Sequence, residues 1–199
     1  MDLFNENIGV NILPIDGTVI YYGSIFTQKV ANDFTKKILE NIDWKNDELK
    51  IYGKQIITKR KVAWYADDGI SYTYSNITKV GLPWTNELLQ IKKIAEDKTG
   101  FTFNSCLLNL YHEGNEGMGW HSDNEKEIVK DSCIASFSFG AERKFMFRHN
   151  ITKETVAITL ASGSLLCMLD ETQTHWQHQL PKSTKIKTPR INLTFRVMH

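Results

Sequence analysis

Three side chains of metal-binding type have a spacing that suggests one shared site. His121 and Asp123 stand two residues apart, and His178 follows 57 residues after His121. On extended backbone, residues two apart point to the same side. Two histidines and one carboxylate on one face of Fe(II) leave the other positions open for a cosubstrate and O₂. The spacing predicts such an iron site, although a His-x-Asp pair by itself also occurs by chance.

Two arginines follow the last of these histidines at positions that suit an anionic ligand. Arg190 comes 12 residues after His178, and Arg196 six residues later. A guanidinium binds a carboxylate through two parallel hydrogen bonds, which is what a dicarboxylate cosubstrate of iron requires at its far end. Asn109 and Tyr111 alternate onto one face of a predicted strand, where they could add hydrogen bonds to the same anion. An edge strand with its arginines in water is the alternative.

The elements that must position these residues are predicted from periodicity. Apolar residues at helical spacing predict helices over residues 27–42 and 85–98, with Thr27 and Thr85 as caps. From residue 101 onward the chain changes to short β-rich runs, at 101–112, 133–139, 144–149, 155–160, 164–169 and 191–198. Short strands at this spacing predict a sandwich or a double-stranded barrel.

Length and composition favour one domain over the whole chain, residues 1–199. The chain is 41% hydrophobic, which is enough to build a sizeable core. Its three cysteines are an odd number without C-x-x-C spacing, so we expect buried thiols in a reducing compartment. No basic stretch precedes an apolar one at the amino terminus, and no apolar run approaches the ~20 residues that span a bilayer. We therefore expect a soluble intracellular protein that does not contact a membrane.

Positive charge is concentrated in three segments, although the formal net charge is only +1. These segments are residues 54–61, 143–153 and 182–188. None of the three contains an aspartate or a glutamate. If they meet on one face they would form a phosphate-binding surface; the alternative is three solvated loops. The candidate phosphate contacts are Lys54, Lys59, Arg60, Lys61 and Arg143.

Several motifs, in this order along the chain, resemble the AlkB family of DNA-dealkylation dioxygenases, particularly the subgroup of human AlkB homologues two and three. They are Asn109-Leu110-Tyr111, Trp120-His121-Ser122-Asp123, Ala135-Ser136-Phe137-Ser138-Phe139-Gly140-Ala141, His175-Trp176-Gln177-His178 and Pro189-Arg190-Ile191-Asn192-Leu193-Thr194-Phe195-Arg196. The similarity runs from about Lys59 to Val197, and residues 1–50 match less clearly. The occurrence of all five motifs in this order is much more specific to the family than any single motif.

The resemblance implies a mostly β fold with flanking α-helices, built on a double-stranded β-helix, or jelly-roll, core at about residues 101–199. An amino-terminal helical extension and a nucleotide-recognition lid at about residues 50–80 would complete the domain. By the same resemblance His121, Asp123 and His178 hold Fe(II) and form the catalytic centre. These are the residues that the spacing had already indicated.

The cosubstrate residues also follow from the resemblance. Arg190, with Asn109 and Tyr111, would bind the distal carboxylate of 2-oxoglutarate. Arg196, with Asn192, would support the end nearest the metal. The implied cofactors are therefore Fe(II), with 2-oxoglutarate and O₂ as cosubstrates.

The resemblance places substrate recognition before the core. The expected substrate contacts are Arg60, Lys61, Tyr72, Tyr74, Ser75 and Glu125. A base in a duplex must be flipped out to reach a buried metal, and stacking on an aromatic ring offsets part of the lost stacking, about 1–3 kcal/mol per base. Tyr74 is the expected platform, with His121 on the other side of the base. Asn124 stands where close relatives often have a second aspartate, so the preferred lesion is open, as is any role of His175.

The implied reaction is oxidative demethylation of bases such as 1-methyladenine and 3-methylcytosine. It is coupled to decarboxylation of 2-oxoglutarate and releases formaldehyde, succinate and CO₂. The expected partner of the monomeric enzyme is DNA, single- or double-stranded, in the cytoplasm of a bacterium or the nucleus of a eukaryote. Two alternatives stay open: an oxygenase of the same chemistry acting on RNA, protein or a small molecule, and a non-catalytic metal-binding jelly roll.

Overall fold

A computed structural model describes the backbone of residues 8–51, 54–74 and 77–199, and the side chains of residues 8–46, 58–71 and 80–199. Its strands and helices, in chain order, are β1 (Thr18–Ser24), α1 (Gln28–Asn41), β2 (Lys45–Ile51), β3 (Lys54–Ala66), β4 (Ser71–Tyr74), β5 (Ile77–Val80), α2 (Asn86–Thr99), β6 (Ser105–Tyr111), β7 (Met118–His121), β8 (Ile134–Gly140), β9 (Arg143–His149), β10 (Thr155–Leu160), β11 (Ser164–Leu169), α3 (Thr172–His175), β12 (Trp176–Leu180) and β13 (Arg190–Arg196).

Two antiparallel sheets form the body of the fold. The larger has seven strands in the order β1-β11-β8-β13-β6-β3-β2, and the smaller has four in the order β10-β9-β12-β7. Strands β4 and β5 pair separately as a hairpin. Apolar side chains from both main sheets pack together, among them Ile134 and Met168 of the larger sheet and Phe147 and Trp176 of the smaller. The arrangement confirms the predicted mostly β, jelly-roll architecture with flanking helices.

Both predicted helices are present and cap as expected. The hydroxyl oxygen of Thr27 accepts a hydrogen bond from the backbone N–H of Val30, and that of Thr85 accepts one from Leu88. Helix α2 ends at Gly100, whose φ of 76° is the left-handed conformation that glycine adopts most easily. The two helices pack their buried residues on one face of the seven-stranded sheet, so they leave the other face of that sheet for the site.

Strand β13 lies in the middle of the seven-stranded sheet, between β6 and β8. Its apolar residues Ile191, Leu193 and Phe195 are buried in the core that contains the helices. Alternation along the strand therefore turns the polar residues, Arg190 and Arg196 among them, to the opposite face. This position excludes the alternative in which β13 is an edge strand in water.

Three strands that precede residue 101 belong to the larger sheet. β1 pairs with β11, β3 pairs with β6, and β2 pairs with β3. In particular, residues 61–66 pair with residues 105–110, inside the segment predicted as a lid. The division into a lid at about 50–80 and a core at about 101–199 stays a prediction.

Cys106, Cys133 and Cys167 are free and buried, as expected from their apolar surroundings. Burial raises the pKa of the Cys106 thiol far above its ordinary value. Within the described part of the chain, no helix has the length and apolar character needed to cross a membrane.

Candidate active site

The three predicted metal ligands converge at the junction of two neighbouring strands of the smaller sheet. His121 ends β7 and lies opposite His178 of β12 in the antiparallel pairing, with ring centroids 4.2 Å apart. Oδ1 of Asp123 lies 3.8 Å from Nε2 of His121 and 3.9 Å from Nε2 of His178. All three ligand atoms lie within 4.8 Å of one another, which is a separation that one ion can bridge.

The hydrogen bond at the far side of the His121 ring prepares its other nitrogen for a metal. Nδ1 lies 2.8 Å from the carbonyl oxygen of Gly119. Since a carbonyl only accepts, we assign the proton to Nδ1, and Nε2 then carries a free lone pair facing Asp123. A backbone carbonyl in this position is the usual partner that fixes the tautomer and ring orientation of a metal-binding histidine.

The Asp123 carboxylate is buried, with a side-chain exposure of 6%, and is ionised. Burial acts to raise its pKa, but the charge of Arg196, the rings of His178 and His121, and a hydrogen bond from Arg196 outweigh it and hold the pKa at about 2. Nη2 of Arg196 donates to Oδ2 at 2.6 Å. This leaves Oδ1 as the oxygen that faces the two histidines.

His178 is neutral for a different reason. It is 4% exposed, and the rings of Phe145 and Phe147 lie 5.4 and 6.2 Å from its own. Burial lowers its pKa to about 3, because the charged form would lose its hydration; Asp123 opposes this shift but does not cancel it. The residue therefore keeps a lone pair at neutral pH, as a metal ligand must.

A second cluster of possible ligands, Asp16, His149 and His175, is less suited to an ion. Nδ1 of His149 accepts a hydrogen bond from the backbone N–H of Thr152 at 3.1 Å. The proton of the neutral ring therefore lies on Nε2, which is 3.2 Å from Oδ2 of Asp16 but makes no hydrogen bond within the described residues. A protonated nitrogen cannot bind a metal, so this cluster is better described as a histidine–carboxylate pair.

Arg190 is a buried cation that has no acidic partner among the described residues. Its Nη2 donates to Oγ of Ser138 at 2.8 Å, and its guanidinium lies 5.6 Å from the centre of the Tyr111 ring. Its Nε is buried and makes no hydrogen bond within that part of the chain. Burial lowers its pKa to about 10, so it stays charged at neutral pH. A buried, unpaired guanidinium calls for an anion, and a ligand carboxylate fits that need.

The other predicted cosubstrate residues lie on the same strand pair. Arg190 is paired with Tyr111 and Asn192 with Asn109, so the register of β13 on β6 brings these four residues together. Asn109 and Tyr111 are both buried. The amide nitrogen of Asn192 donates to Oγ of Ser136 and to the carbonyl of Phe137, both at 2.9 Å, which commits this side chain to the sheet. Nε of Arg196, like that of Arg190, is a buried donor without a partner among the described atoms.

The predicted substrate residues are only partly described. Arg60 is buried, with Nη1 3.6 Å from Sδ of Met118, whereas Lys61 is half-buried and Glu125 is exposed. The side chains of Tyr72 and Tyr74 lie outside the described residues, as does all of Ser75, so their roles stay predictions. The side chain of Lys54 is also outside them, and Lys59 is exposed.

Arg143 is not a surface cation, and its prediction as a phosphate contact is wrong. Its side chain is 1% exposed, and its Nη2 donates to the carbonyls of Glu116 at 2.8 Å and Pro181 at 2.9 Å. The guanidinium also lies 5.9 Å from the centre of the Tyr111 ring. It ties two loops together beside the predicted cosubstrate residues, and the sequence gives no sign of this because it depends on backbone carbonyls.

Two other site residues were not found from the sequence. Ser138 holds the guanidinium of Arg190, and the side chain of Gln173 accepts the backbone N–H of Asp123 at 2.8 Å. Ser138 lies in one of the motifs that carry the family resemblance, residues 135–141, and that motif was the signal that could have indicated it. Gln173 carried no signal, because its contact joins residues 50 positions apart.

Comparison with known proteins agrees with this geometry. The family model described as the 2OG-Fe(II) oxygenase superfamily matches residues 18–196. DNA oxidative demethylase ALKBH2 of Mus musculus is 36% identical over 195 residues, covering 92% of this chain and 82% of that protein. ALKBH2 of Homo sapiens is 37% identical over 192 residues, covering 91% and 74%. Alpha-ketoglutarate-dependent dioxygenase alkB homolog 3 of Homo sapiens is 36% identical over 194 residues, covering 91% and 66%.

A solved structure supports the fold. "The structure of OsALKBH1" superposes with a TM-score of 0.59 at 15% sequence identity, covering 92% of this chain and 99% of that one. The buried donors of Arg190 and Arg196 and the ligand-ready triad fit the metal and the dicarboxylate that the family uses. The chain belongs to the 2OG-Fe(II) oxygenase superfamily and, within it, to the AlkB family, and is therefore an Fe(II)- and 2-oxoglutarate-dependent dioxygenase.

Proposed function

We propose that this protein oxidatively removes N-linked methyl groups from damaged bases in DNA, with 1-methyladenine and 3-methylcytosine as representative substrates. The observation that carries the proposal is the convergence of His121 Nε2, Asp123 Oδ1 and His178 Nε2 on one point. Relatives that match most of this chain are named DNA oxidative demethylases, which supports DNA as the substrate class.

In the proposed site, His121, Asp123 and His178 hold Fe(II). When bound, the iron with 2-oxoglutarate and O₂ supplies the oxidising power that hydroxylates the N-methyl carbon, while 2-oxoglutarate is converted to succinate and CO₂. The hydroxymethyl group then leaves the base as formaldehyde, because a carbon bearing both nitrogen and hydroxyl collapses readily. The protein contributes orientation, charge neutralisation and protection from water.

Specific residues account for charge neutralisation and for protection from water in the proposed site. Asp123 brings one negative charge to the metal and is kept ionised by Arg196. Arg190 neutralises the distal carboxylate of 2-oxoglutarate, with Asn109 and Tyr111 as further donors on the paired strand. Phe145 and Phe147 keep water away from His178.

Base recognition is proposed from the resemblance. A flipped base would stack on Tyr74, with the ring of His121 on its other side, while Tyr72 and Ser75 contact its edge or phosphate. Lys61, which is half-buried, would contact the DNA backbone, whereas Arg60 is buried and would reach DNA only if its side chain moved. Glu125 is exposed, and it lies close enough to Arg196 for its negative charge to raise the pKa of that arginine. The same negative charge would favour the positive charge of a methylated base.

The test is a panel of oligonucleotides carrying 1-methyladenine or 3-methylcytosine, as single- and double-stranded DNA and as RNA, incubated with enzyme, Fe(II), 2-oxoglutarate and O₂. We expect loss of the methyl group by mass spectrometry, with formaldehyde and succinate formed in equal amounts. Asp123→Ala should abolish all three, whereas Asp97→Ala, the same change at an exposed ion pair on α2, should not.

The panel also separates the alternatives. Repair of RNA alone, or turnover of 2-oxoglutarate with no change in any oligonucleotide, would refute DNA as the substrate and favour RNA, protein or a small molecule. Absence of 2-oxoglutarate turnover in the presence of Fe(II) and ascorbate would refute the enzymatic reading altogether. Comparing the single- and double-stranded arms gives the strand preference.

A further inference from the structure

Gln173 connects the backbone of one proposed metal ligand to a distant part of the fold. Its Oε1 accepts the backbone N–H of Asp123 at 2.8 Å, and its Nε2 lies 3.3 Å from Sδ of Met168. Because one end of the amide accepts and the other donates, the orientation of the group is fixed. The oxygen therefore has to face Asp123.

The helix that carries Gln173 is firmly attached to its surroundings. Thr172 is buried, and its Oγ1 accepts the backbone N–H of Thr18 at 2.9 Å and lies 2.6 Å from the carbonyl oxygen of Leu169. At the other end of α3, Nδ2 of Asn150 donates to the carbonyl of Thr174 at 2.8 Å. A short helix held at both ends is a rigid base for a side chain that positions another residue.

Asp123 needs such support because it lies outside the strands. Strand β7 ends at His121, and the next strand begins at Ile134. Arg196 holds the carboxylate of Asp123, but for the backbone N–H of Asp123 only the hydrogen bond that it donates to Gln173 is described. Helix α3 continues directly into β12, which carries His178. Gln173 thus joins the segment of one ligand to the strand of another.

We propose that Gln173 is a positioning residue for the metal centre: its amide oxygen fixes the Asp123 backbone relative to His178. This inference rests on the proposed metal site. Partners that orient metal ligands typically change metal affinity by about 10–100-fold when they are removed. The accepting oxygen should matter most, because the donor end contacts only the weakly accepting sulfur of Met168.

The experiment measures Mn(II) affinity, by the loss of the free-ion electron paramagnetic resonance signal, in protein without 2-oxoglutarate. Gln173→Met keeps the length of the side chain but removes the acceptor, and we expect the Kd to rise about tenfold. Gln173→Glu keeps an accepting oxygen, and we expect it to bind at least as tightly as the wild type. Gln179→Met is the matched control, because Gln179 also points its Nε2 at a methionine sulfur, that of Met146 at 3.6 Å, on a neighbouring strand. Its Kd should be unchanged.

Equal Mn(II) affinity in Gln173→Met and wild type would overturn the proposal, as would equal weakening in Gln173→Met and Gln173→Glu. If Gln173→Met does not fold, amide hydrogen exchange in the wild type decides: protection at Asp123 is expected, and exchange at the rate of an unstructured peptide would overturn it. Failure of the wild type to bind Mn(II) would instead refute the metal site itself, and the role of Gln173 with it.

Discussion

Nη2 of Arg196 lies 2.6 Å from Oδ2 of Asp123, although 73 residues separate the two in the chain. The side chains are 13% and 6% exposed, so the pair is shielded from water. It joins the central strand of the larger sheet to the segment that follows β7, and it directs one carboxylate oxygen to Arg196 and the other to the histidines.

Replacing Arg196 with Met should strongly destabilise the metal-free protein. Removing one partner of a buried ion pair leaves an uncompensated charge, which typically costs about 3–5 kcal/mol. The measurement is the free energy of unfolding in urea. Lys93→Met is the control, because the Lys93–Asp97 pair is exposed and such pairs contribute about 0–1 kcal/mol. Similar losses in the two variants would mean that the Arg196 pair is not shielded.

Replacing Arg190 with Met should weaken binding of 2-oxoglutarate by tenfold or more, because it removes the charged half of a buried ionic contact worth at least about 1.4 kcal/mol. Calorimetric titration of the Mn(II)-loaded protein with 2-oxoglutarate gives the Kd. Ser138→Ala, which removes only the hydrogen bond that holds the guanidinium, should have a smaller effect in the same direction. Unchanged affinity in Arg190→Met would remove Arg190 from the pocket.

Replacing Tyr74 with Ala should reduce repair of methylated DNA far more than the slow decarboxylation of 2-oxoglutarate that proceeds without DNA. Loss of a stacking platform costs about 1–3 kcal/mol per base and does not touch the metal. Both rates are measured on the same preparation, one by mass spectrometry and the other by succinate formation. Equal loss of both would indicate that Tyr74 supports the fold instead of the base.

Mn(II) should raise the melting temperature of the protein, because an ion that binds only the folded state stabilises it. At a concentration 100 times the Kd the gain is about 2.7 kcal/mol. Differential scanning fluorimetry with and without a chelator measures the shift. The shift should vanish in Asp123→Ala and persist in Asp16→Ala, which alters the second cluster of possible ligands. A shift that persists in Asp123→Ala and vanishes in Asp16→Ala would show that the ion binds the second cluster instead.

The three cysteines should resist thiol reagents in the native protein. All three are buried, and burial raises the pKa of the Cys106 thiol, so the reactive thiolate is scarce as well as inaccessible. Labelling with a chromogenic disulfide should therefore be slow in buffer and rapid in denaturant. Fast labelling of any one cysteine in buffer would show that its surroundings are open to solvent.

Much of the site could be predicted because it depends on local pattern. Alternation along residues 190–196 is enough to predict an apolar face and a cationic face. The structure adds that β13 lies in the middle of the larger sheet and that its apolar face packs in the core with the two long helices. The caps Thr27 and Thr85 were likewise predictable, since a cap is a contact within one helical turn.

Two residues whose roles were not predicted, Arg143 and Gln173, act on backbone groups far away in the chain. Arg143 is predicted as a phosphate contact because it lies in a positively charged segment without acids, yet carbonyls from two loops replace its hydration. Gln173 acts on an N–H 50 residues away. Neither contact has a periodicity or a motif, and both depend on which loops the folded sheets bring together.

The account depends most on where the metal and the cosubstrate bind, and an anaerobic crystal structure with Mn(II) and 2-oxoglutarate measures this directly. We expect the ion to be bound by Nε2 of His121, Oδ1 of Asp123 and Nε2 of His178, with the distal carboxylate of 2-oxoglutarate on the guanidinium of Arg190. An ion bound elsewhere, for example between Asp16 and His149, or a carboxylate that does not contact Arg190, would contradict it.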